Sequence, residues 1–268
     1  MHIFIAVLLL IFCLVLFLVK PGKRRTESLE TKYFAHRGLH DDTVPENSME
    51  AFRRAKNRGY GVELDVQLTK DQKLVVFHDN DLERMCGVKK KVDDLTYEEL
   101  LQYPLKGGVD RIPLLEDVLG LLEDVPVILE VKTQRGEKDL RACPAVCEAI
   151  DRYKGKIYVE SFSPFVIRWF KNNRPDIIRG QLSMDFIKNR TISIIGAIAM
   201  KNLLVNCLSG PDFIAYRNKD KSLGFWLVKT FFNPLIVLWT VTSPEEFHSL
   251  PKDVHGVIFE KFTIPADK

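Results

Sequence analysis

Hydrophobic and polar positions divide the chain into one long apolar run at the start and, after it, many short apolar runs separated by more polar segments. The short runs have the length and periodicity of buried β-strands. They predict eight strands, at or within residues 33–35, 61–66, 127–131, 157–159, 177–182, 202–216, 235–241 and 256–259.

Segments with helical signals lie between most of these strands. Ser163 precedes Pro164 and Ser243 precedes Pro244, the arrangement of a helix cap followed by proline in the first turn. The predicted helices span residues 46–58, 114–122, 139–153, 164–173 and 244–250. Strands alternating with helices predict an α/β protein with a (β/α)8 barrel, the TIM-barrel fold. A doubly wound open sheet is the alternative, but no glycine-rich phosphate loop follows the first strand.

The first apolar run, residues 3–19, contains no polar residue except Cys13 and would form a helix roughly 26 Å long. It predicts an uncleaved transmembrane anchor. A cleaved secretory signal is the rival interpretation, but it needs a positive start, a shorter apolar core and a small-residue cleavage site. We therefore expect an anchor over residues 1–20, a basic juxtamembrane linker over residues 21–32 and the barrel domain over residues 33–268.

The charge distribution predicts the orientation of this anchor. The 268 residues include 39 Lys plus Arg and 36 Asp plus Glu, for a formal net charge of +3. Lys20, Lys23, Arg24 and Arg25 all follow the apolar run, and no acidic residue accompanies them. Because basic residues beside a membrane helix stay preferentially in the cytoplasm, we expect a single-pass protein of the cell membrane with a cytoplasmic barrel.

Composition excludes some partners. Beyond residue 25 the chain is close to neutral, so it lacks the basic surface that nucleic-acid binding requires, and we expect no nucleic-acid partner. The five cysteines are odd in number and show neither paired spacing nor a zinc-binding pattern. We interpret all of them as structural thiols.

Acidic residues interrupt two of the predicted strands. Side chains alternate along a strand, so Glu63 and Asp65 share one face of the second strand and point into the barrel mouth. Glu130 and Lys132 share the inward face of the next barrel strand. A salt bridge to a barrel lysine is the alternative for any single acid. Three buried carboxylates, without thiolates or a histidine cluster, instead favour a hard cation such as Mg²⁺ or Ca²⁺.

Two histidines end predicted strands near these acids. His36 follows the first strand, and His78 follows a short apolar run that a hairpin turn joins to the second strand. A two- or four-residue turn centred on Asp71 and Gln72 would place Asp65 directly opposite His78. We therefore expect an imidazole beside the cation site, whereas His40 is expected to be an ordinary loop histidine.

Six motifs occur in a recognisable order. They are His36-Arg37-Gly38, Pro45-Glu46-Asn47-Ser48, Glu63-x-Asp65-Val66, Leu68-Thr69-x-Asp71, Val76-x-His78-Asp79 and Leu129-Glu130-x-Lys132. The chain resembles the glycerophosphodiester phosphodiesterase family, as a membrane-anchored bacterial-type member, over roughly residues 33–260. Its last strand reads Gly256-Val-Ile-Phe-Glu260, where the family commonly has Gly-Ile-Ile-Thr-Asp.

The resemblance implies an enzyme that hydrolyses glycerophosphodiesters to glycerol 3-phosphate and an alcohol, with a divalent metal ion as cofactor. Two histidines would act as acid and base, and a neighbouring glycerol hydroxyl would form a cyclic phosphate that water then opens. The implied residues are His36 and His78 for catalysis, Glu63, Asp65 and Glu130 for the metal, and Arg37, Lys132 and Trp239 for substrate binding.

Two other functions remain open at this point. Related barrels act on lysolipids, so a phospholipase D or lysophospholipase D that acts on membrane lipids is the second interpretation. Residues 223–232 could then touch lipid, although a barrel helix packed on the sheet is the simpler interpretation of that run. A membrane-tethered barrel that binds a ligand without turnover is the third, and the presence of every polar motif residue argues against it.

Overall fold

Nine β-strands form one sheet in the part of the chain that the computed structural model describes, residues 1–22, 28–189 and 192–264. The strands are β1 (Tyr33–His36), β2 (Gly61–Leu68), β3 (Leu74–Val76), β4 (Val127–Val131), β5 (Ile157–Ser161), β6 (Arg179–Ser183), β7 (Phe213–Arg217), β8 (Leu235–Val241) and β9 (Gly256–Phe259).

The sheet closes on itself. β1 pairs in parallel with both β2 and β9, and the remaining parallel pairs run β2-β4-β5-β6-β7-β8-β9. Eight parallel strands therefore form a closed barrel, and β3 pairs antiparallel with β2 outside it. The predicted TIM-barrel fold is confirmed, and the open doubly wound sheet is wrong because β1 joins the two ends.

Helices follow most barrel strands, with short 3-10 turns at Val92–Asp94 and Leu105–Gly107. Ser163 accepts hydrogen bonds from the backbone amides of Phe165 and Val166, and Ser243 caps its helix in the same way. The helices are α1 (His2–Val19), α2 (Met49–Asn57), α3 (Glu83–Cys86), α4 (Tyr97–Leu100), α5 (Leu115–Leu122), α6 (Ala142–Arg152), α7 (Pro164–Asn173), α8 (Phe186–Asn189), α9 (Ile194–Lys201), α10 (Asn206–Ser209), α11 (Leu223–Phe232) and α12 (Pro244–His248).

Two apolar layers hold the barrel together. Val62, Leu64 and Val66 of β2 belong to the layer between strands and helices, as their alternation predicts. A second cluster fills the barrel interior and includes Phe34, Tyr158 and Phe213. The buried carboxylates Glu63, Asp65, Glu130 and Glu160 are not part of this cluster. The interior is therefore apolar where the cluster packs and polar where these acids lie.

The hairpin between β2 and β3 differs from its predicted register. Val66 pairs with Val76 and Leu68 with Leu74, so Asp65 lies opposite Phe77 rather than His78. The turn contains three residues between Thr69 and Lys73, and Gln72 adopts a positive φ of 62°. Three-residue hairpins use such a left-handed residue, which shifts the pairing by one position from the two- and four-residue turns that we considered.

Residues 77–113 form a small excursion from the barrel with its own apolar cluster. Phe77, Leu82, Met85 and Leu100 pack there with other buried side chains. β3 ends at Val76, and the chain then turns so that His78 reaches the barrel mouth although it does not oppose Asp65.

The carboxyl end of the apolar helix α1 lies against the outside of the barrel, beside α10 and the segment that leads into β7. Val19 is buried, and the side-chain amide of Asn206 donates to its carbonyl oxygen at 2.9 Å. The ring of Phe12 packs edge-on against Phe231 of α11, with 5.9 Å between ring centroids. Among the described residues α1 alone is long and apolar enough to cross a membrane. Lys23, Arg24 and Arg25, on which the orientation argument also depends, lie outside the described residues.

Candidate active site

The predicted site residues meet in one pocket of about 960 Å³ at the carboxyl ends of the barrel strands. In TIM-barrel enzymes this is the end that carries catalytic residues. Seven of the eight predicted residues line the pocket: His36, Arg37, Glu63, His78, Glu130, Lys132 and Trp239. Asp65 is 1% exposed and lies beneath them, in contact with Arg37 and Lys132.

Three carboxylates form a buried cluster in this pocket. Asp65 pairs with Glu130 in the parallel register of β2 and β4, and Glu63 lies two residues before Asp65 on the same face. One carboxylate oxygen from each residue lies within 4.8 Å of the other two. All three residues are buried, so the cluster brings together three hard oxygen donors away from bulk water.

Two cations neutralise part of the cluster. Nζ of Lys132 lies 2.9 Å from Oδ1 of Asp65 and 2.8 Å from Oε1 of Glu130. Nε of Arg37 lies 3.3 Å from Oδ2 of Asp65, and the Arg37 backbone amide donates to Oε2 of Glu63 at 3.1 Å. The salt bridge to a barrel lysine that we considered for a single acid is therefore present, and it involves two of the three acids.

A fourth acid adds to the negative charge. Glu160 of β5 pairs in register with Glu130, is 1% exposed, and its Oε2 has no hydrogen-bond partner among the described residues. When ionised, these four carboxylates exceed the charge of Arg37 and Lys132 by two. A buried imbalance of this size is costly unless the acids take up protons or share a cation.

The pKa values of the acids reflect the same imbalance. Burial, followed by the charge of Asp65, raises the pKa of Glu63 well above its usual value. Burial would also raise the pKa of Asp65, but Lys132, His78 and Arg37 hold it well below its usual value. The cluster thus combines one carboxylate that is stabilised in its ionised form with another that is destabilised, as expected where like charges share one site.

His36 is held by an acidic residue from the far end of the chain. Its Nδ1 lies 2.6 Å from Oε2 of Glu260, which directly follows β9, and its Nε2 lies 3.8 Å from Oε2 of Glu63. Burial and the charge of Arg37 lower the pKa of His36 even though Glu260 opposes that shift. Nε2 of His40 lies 3.5 Å from the same oxygen of Glu260, so His40 also lies beside this pair.

His78 has a similar arrangement. Its Nδ1 lies 2.7 Å from Oδ1 of Asp79, and Asp79 accepts a hydrogen bond from Nε of Arg84 at 2.6 Å. Burial would raise the pKa of Asp79, but its bonds to His78 and Arg84 lower it to about 2. Both histidines therefore have Nδ1 beside a carboxylate, which fixes the ring and leaves Nε2 for chemistry.

The Pro45-Glu46-Asn47-Ser48 motif, directly before α2, makes hydrogen bonds to residues of the pocket. Glu46 accepts from Nη1 of Arg37 at 2.7 Å and from Nη2 of Arg84 at 2.6 Å, so it links the two arginines. The side-chain amide of Asn47 donates to Oδ2 of Asp65 at 2.9 Å. These bonds fix Arg37 and Asp65 relative to each other.

The opposite wall of the pocket is apolar. Phe162 packs edge-on against Trp239, with ring centroids 5.7 Å apart, and against Phe186 at 5.6 Å. Leu182 and Met184 line the same side. The pocket therefore has one charged wall and one aromatic and aliphatic wall.

Three acidic residues of the site, Glu260, Asp79 and Glu160, are not among those predicted from the sequence. Each follows an apolar run or a histidine that ends such a run. That position, near the carboxyl end of a barrel strand, is where catalytic residues occur in TIM-barrel enzymes and could have identified them. Glu260 also stands where the resembling family commonly has Asp, which could have drawn attention to it.

Fold and site together define a TIM-barrel enzyme with paired histidines and a carboxylate cluster at its mouth. Residues 36–262 match the model of the glycerophosphoryl diester phosphodiesterase family. The chain belongs to this family, and its enzyme class is glycerophosphodiester phosphodiesterase.

Individual relatives agree with this assignment. A glycerophosphodiester phosphodiesterase of Bacillus altitudinis is 37% identical over 174 residues, which cover 59% of this chain and 68% of the relative. Lysophospholipase D GDPD1 of Rattus norvegicus is 30% identical over 167 residues, which cover 56% of this chain and 52% of the relative.

Solved structures share the fold. A glycerophosphodiester phosphodiesterase of Thermotoga maritima superposes with a TM-score of 0.64 at 26% identity, over 88% of this chain and 96% of that one. An Oleispira antarctica phosphodiesterase, solved in complex with the product sn-glycerol-3-phosphate, gives a TM-score of 0.69 at 20% identity, over 86% and 92% of the two chains.

Proposed function

We propose that this glycerophosphodiester phosphodiesterase is metal-dependent and uses His36 and His78 as its acid–base pair, releasing glycerol 3-phosphate and an alcohol. The observation that carries the proposal is that both imidazoles have Nδ1 beside a carboxylate and line the pocket that contains the acidic cluster. A general acid and a general base need this kind of fixed orientation toward the substrate.

The two histidines divide the proton transfers. Nε2 of one ring takes the proton from the attacking hydroxyl, and Nε2 of the other donates a proton to the leaving alkoxide. Glu260 and Asp79 keep the rings oriented and stabilise the protonated form of each, which the base reaches by taking a proton and from which the acid starts. A neighbouring hydroxyl of the glycerol is the nucleophile, and water then opens the resulting cyclic phosphate.

Glu63, Asp65 and Glu130 hold a divalent cation in this account. Their buried oxygens and the excess of acids over Arg37 and Lys132 fit Mg²⁺ or Ca²⁺. When bound, such an ion stabilises the negative charge that develops on phosphate and lowers the pKa of a hydroxyl beside it.

Arg37 and Lys132 are the proposed phosphate contacts. Both line the pocket and both carry charge at the edge of the acidic cluster, so an anionic phosphodiester finds its counter-charges there. Trp239 lies on the apolar wall and would pack against the uncharged part of the substrate.

Turnover of glycerophosphocholine with and without chelator tests this function. We expect choline and glycerol phosphate to appear, EDTA to stop the reaction, and added Mg²⁺ or Ca²⁺ to restore it. Full turnover in EDTA would exclude the metal-dependent mechanism.

A lysophospholipase D activity is the second candidate, because the wall formed by Phe162, Leu182, Met184 and Trp239 could accept part of an acyl chain. Parallel assays of glycerophosphocholine and lysophosphatidylcholine separate the two functions. A preference for the lysolipid by kcat/KM would favour the second.

We also propose that residues 1–20 anchor the protein in the cell membrane, that residues 21–32 are the juxtamembrane linker, and that the barrel of residues 33–268 is cytoplasmic. The apolar and largely exposed surface of α1 supports the anchor, and the basic residues after it support the orientation. A reporter at the carboxyl terminus that is accessible from outside intact cells would exclude the cytoplasmic placement.

A further inference from the structure

Exposed apolar side chains are concentrated on two neighbouring helices of the barrel. Beyond residue 19, nine large hydrophobic residues are exposed among the described residues, and six of them lie on α9 and α11. These six, which we call the apolar face, are Ile194, Ile195, Ile198, Leu223, Trp226 and Phe231. Such clustering marks an interaction surface, whereas single exposed apolar residues are ordinary.

A hydrogen bond joins α11 to the residue directly after α9, so the two helices that carry this face are held together. The backbone amide of Gly224 in α11 donates to the side-chain oxygen of Asn202, directly after α9, at 3.3 Å. A Cβ at Gly224 would lie only 1.8 Å from the Asn202 carbonyl oxygen, so the absence of a side chain permits this contact. The spacing of the exposed residues places them on one side of each helix.

The apolar face continues onto α1. Phe231 is one of its six residues and packs against Phe12 of α1. Phe12 lies seven residues before Val19, which places it about 10 Å from the carboxyl end of the helix at 1.5 Å per residue. An 18-residue helix is only about as long as the hydrocarbon core is thick, so nearly all of it must enter the bilayer in order to span.

This geometry places α11 at the membrane whenever α1 crosses it. Because Phe12 would then lie within the hydrocarbon, its partner Phe231 would reach the same depth. We propose that the apolar face of α9 and α11 lies in the bilayer interface and holds the barrel against the membrane. The inference rests on the proposed anchor, and a lipid bilayer is the partner because the face is continuous with an apolar helix of membrane-spanning length.

The residue types of the apolar face are also typical of a surface that lies in the membrane interface. Trp226 is 56% exposed midway along α11, and tryptophan is enriched at the boundary between headgroups and hydrocarbon. The other five residues of the face are isoleucine, leucine and phenylalanine, and apolar side chains of this kind face the membrane in helices that lie in the plane of the interface.

This placement brings the bilayer close to the active site. Leu223 follows the carboxyl end of β7, so the face extends to the end of the barrel where the pocket opens. On the inner side of α9, Ala197 and Met200 pack with Phe186, and Phe162 and Met184 of the pocket wall pack against that cluster. One apolar layer therefore separates the pocket from the membrane.

Photocrosslinking of the full chain in phosphatidylcholine vesicles tests the proposal. We would place p-benzoylphenylalanine separately at Trp226 and Ile195, with Leu8 of α1 as the positive control. Val109, which is 90% exposed on the distant excursion, is the matched negative control. We expect lipid adducts at positions 226 and 195 in yields comparable with position 8, and none at position 109.

The remaining outcomes of the crosslinking experiment distinguish failure of the membrane face from failure of the anchor. Adducts at position 8 without adducts at positions 226 and 195 would overturn the membrane face and leave the anchor intact. No adducts at position 8 would overturn both, and adducts at position 109 would show indiscriminate lipid contact and overturn the face. Glycerophosphocholine turnover by the same preparations reports the enzymatic proposal independently.

Discussion

Glu260 and His36 are hydrogen-bonded at 2.6 Å although 224 residues separate them in the sequence. β9 pairs with β1 so that Phe259 lies beside Ala35. The residues that come next, Glu260 directly after β9 and His36 at the end of β1, form the pair. Closure of the barrel therefore assembles the carboxylate and the imidazole.

The pair predicts that Glu260 positions His36. Glu260→Ala removes the acceptor beside Nδ1, and we expect kcat to fall on the order of a hundredfold, the usual range for lost acid–base assistance. Glu260→Gln retains an acceptor and should lose less. KM should change little, because Glu260 contacts the histidine rather than the phosphate. Steady-state kinetics measure these changes, with Glu148→Gln at an exposed position as the control. An equal fall of kcat in both Glu260 variants would contradict a role for the retained hydrogen bond.

The sequence predicted most of the fold because strand and helix periodicity is local. β4 and α7 have the bounds that the sequence analysis proposed for them, and the eight barrel strands occur in the expected order. The hairpin register was wrong because it depends on the conformation of one residue, Gln72, whose positive φ no hydrophobic pattern shows.

The site was only partly predictable, because some of its contacts depend on the tertiary arrangement of distant segments. Glu63, Asp65 and Glu130 could be grouped because they alternate with apolar residues on neighbouring strands. Glu260 could not be paired with His36 without knowing that the last strand joins the first. The contact between Phe12 and Phe231 likewise depends on the tertiary position of α1.

Metal binding predicts a change in thermal stability. If the acidic cluster binds a divalent cation, added Mg²⁺ or Ca²⁺ should stabilise the folded protein by about 2.7 kcal/mol at a free concentration a hundred times Kd. The double variant with Glu63→Gln and Asp65→Asn should lose this shift, whereas the surface variant Glu148→Gln should keep it. Thermal unfolding with and without EDTA measures the effect. An unchanged shift in the double variant would place the cation elsewhere.

Packing in the barrel interior predicts an intolerant glycine. A Cβ at Gly180 of β6 would lie 2.1 Å from the ring of Phe213 on the neighbouring strand. We expect Gly180→Ala to destabilise the protein by about 1–3 kcal/mol, the usual cost of overpacking. Denaturant unfolding measures this cost.

Two further variants control for the backbone effect of that substitution. Gly120→Ala in α5 meets no atom within 4 Å and should be neutral or stabilising. In a Phe213→Leu background the cost of Gly180→Ala should shrink because the ring is gone. An equal cost in both backgrounds would show that the Phe213 ring is not the cause.

In the proposed mechanism, His36 and His78 perform the proton transfers of a metal-dependent phosphodiesterase. ³¹P NMR of glycerophosphocholine during turnover with Mg²⁺ or Ca²⁺ tests it most directly, because the substrate and glycerol phosphate signals are followed together. We expect the wild-type protein to convert the substrate to glycerol phosphate. His36→Ala and His78→Ala should each slow conversion by about 10²–10⁴-fold while circular dichroism shows a folded barrel. Conversion by either folded variant at the wild-type rate would contradict it.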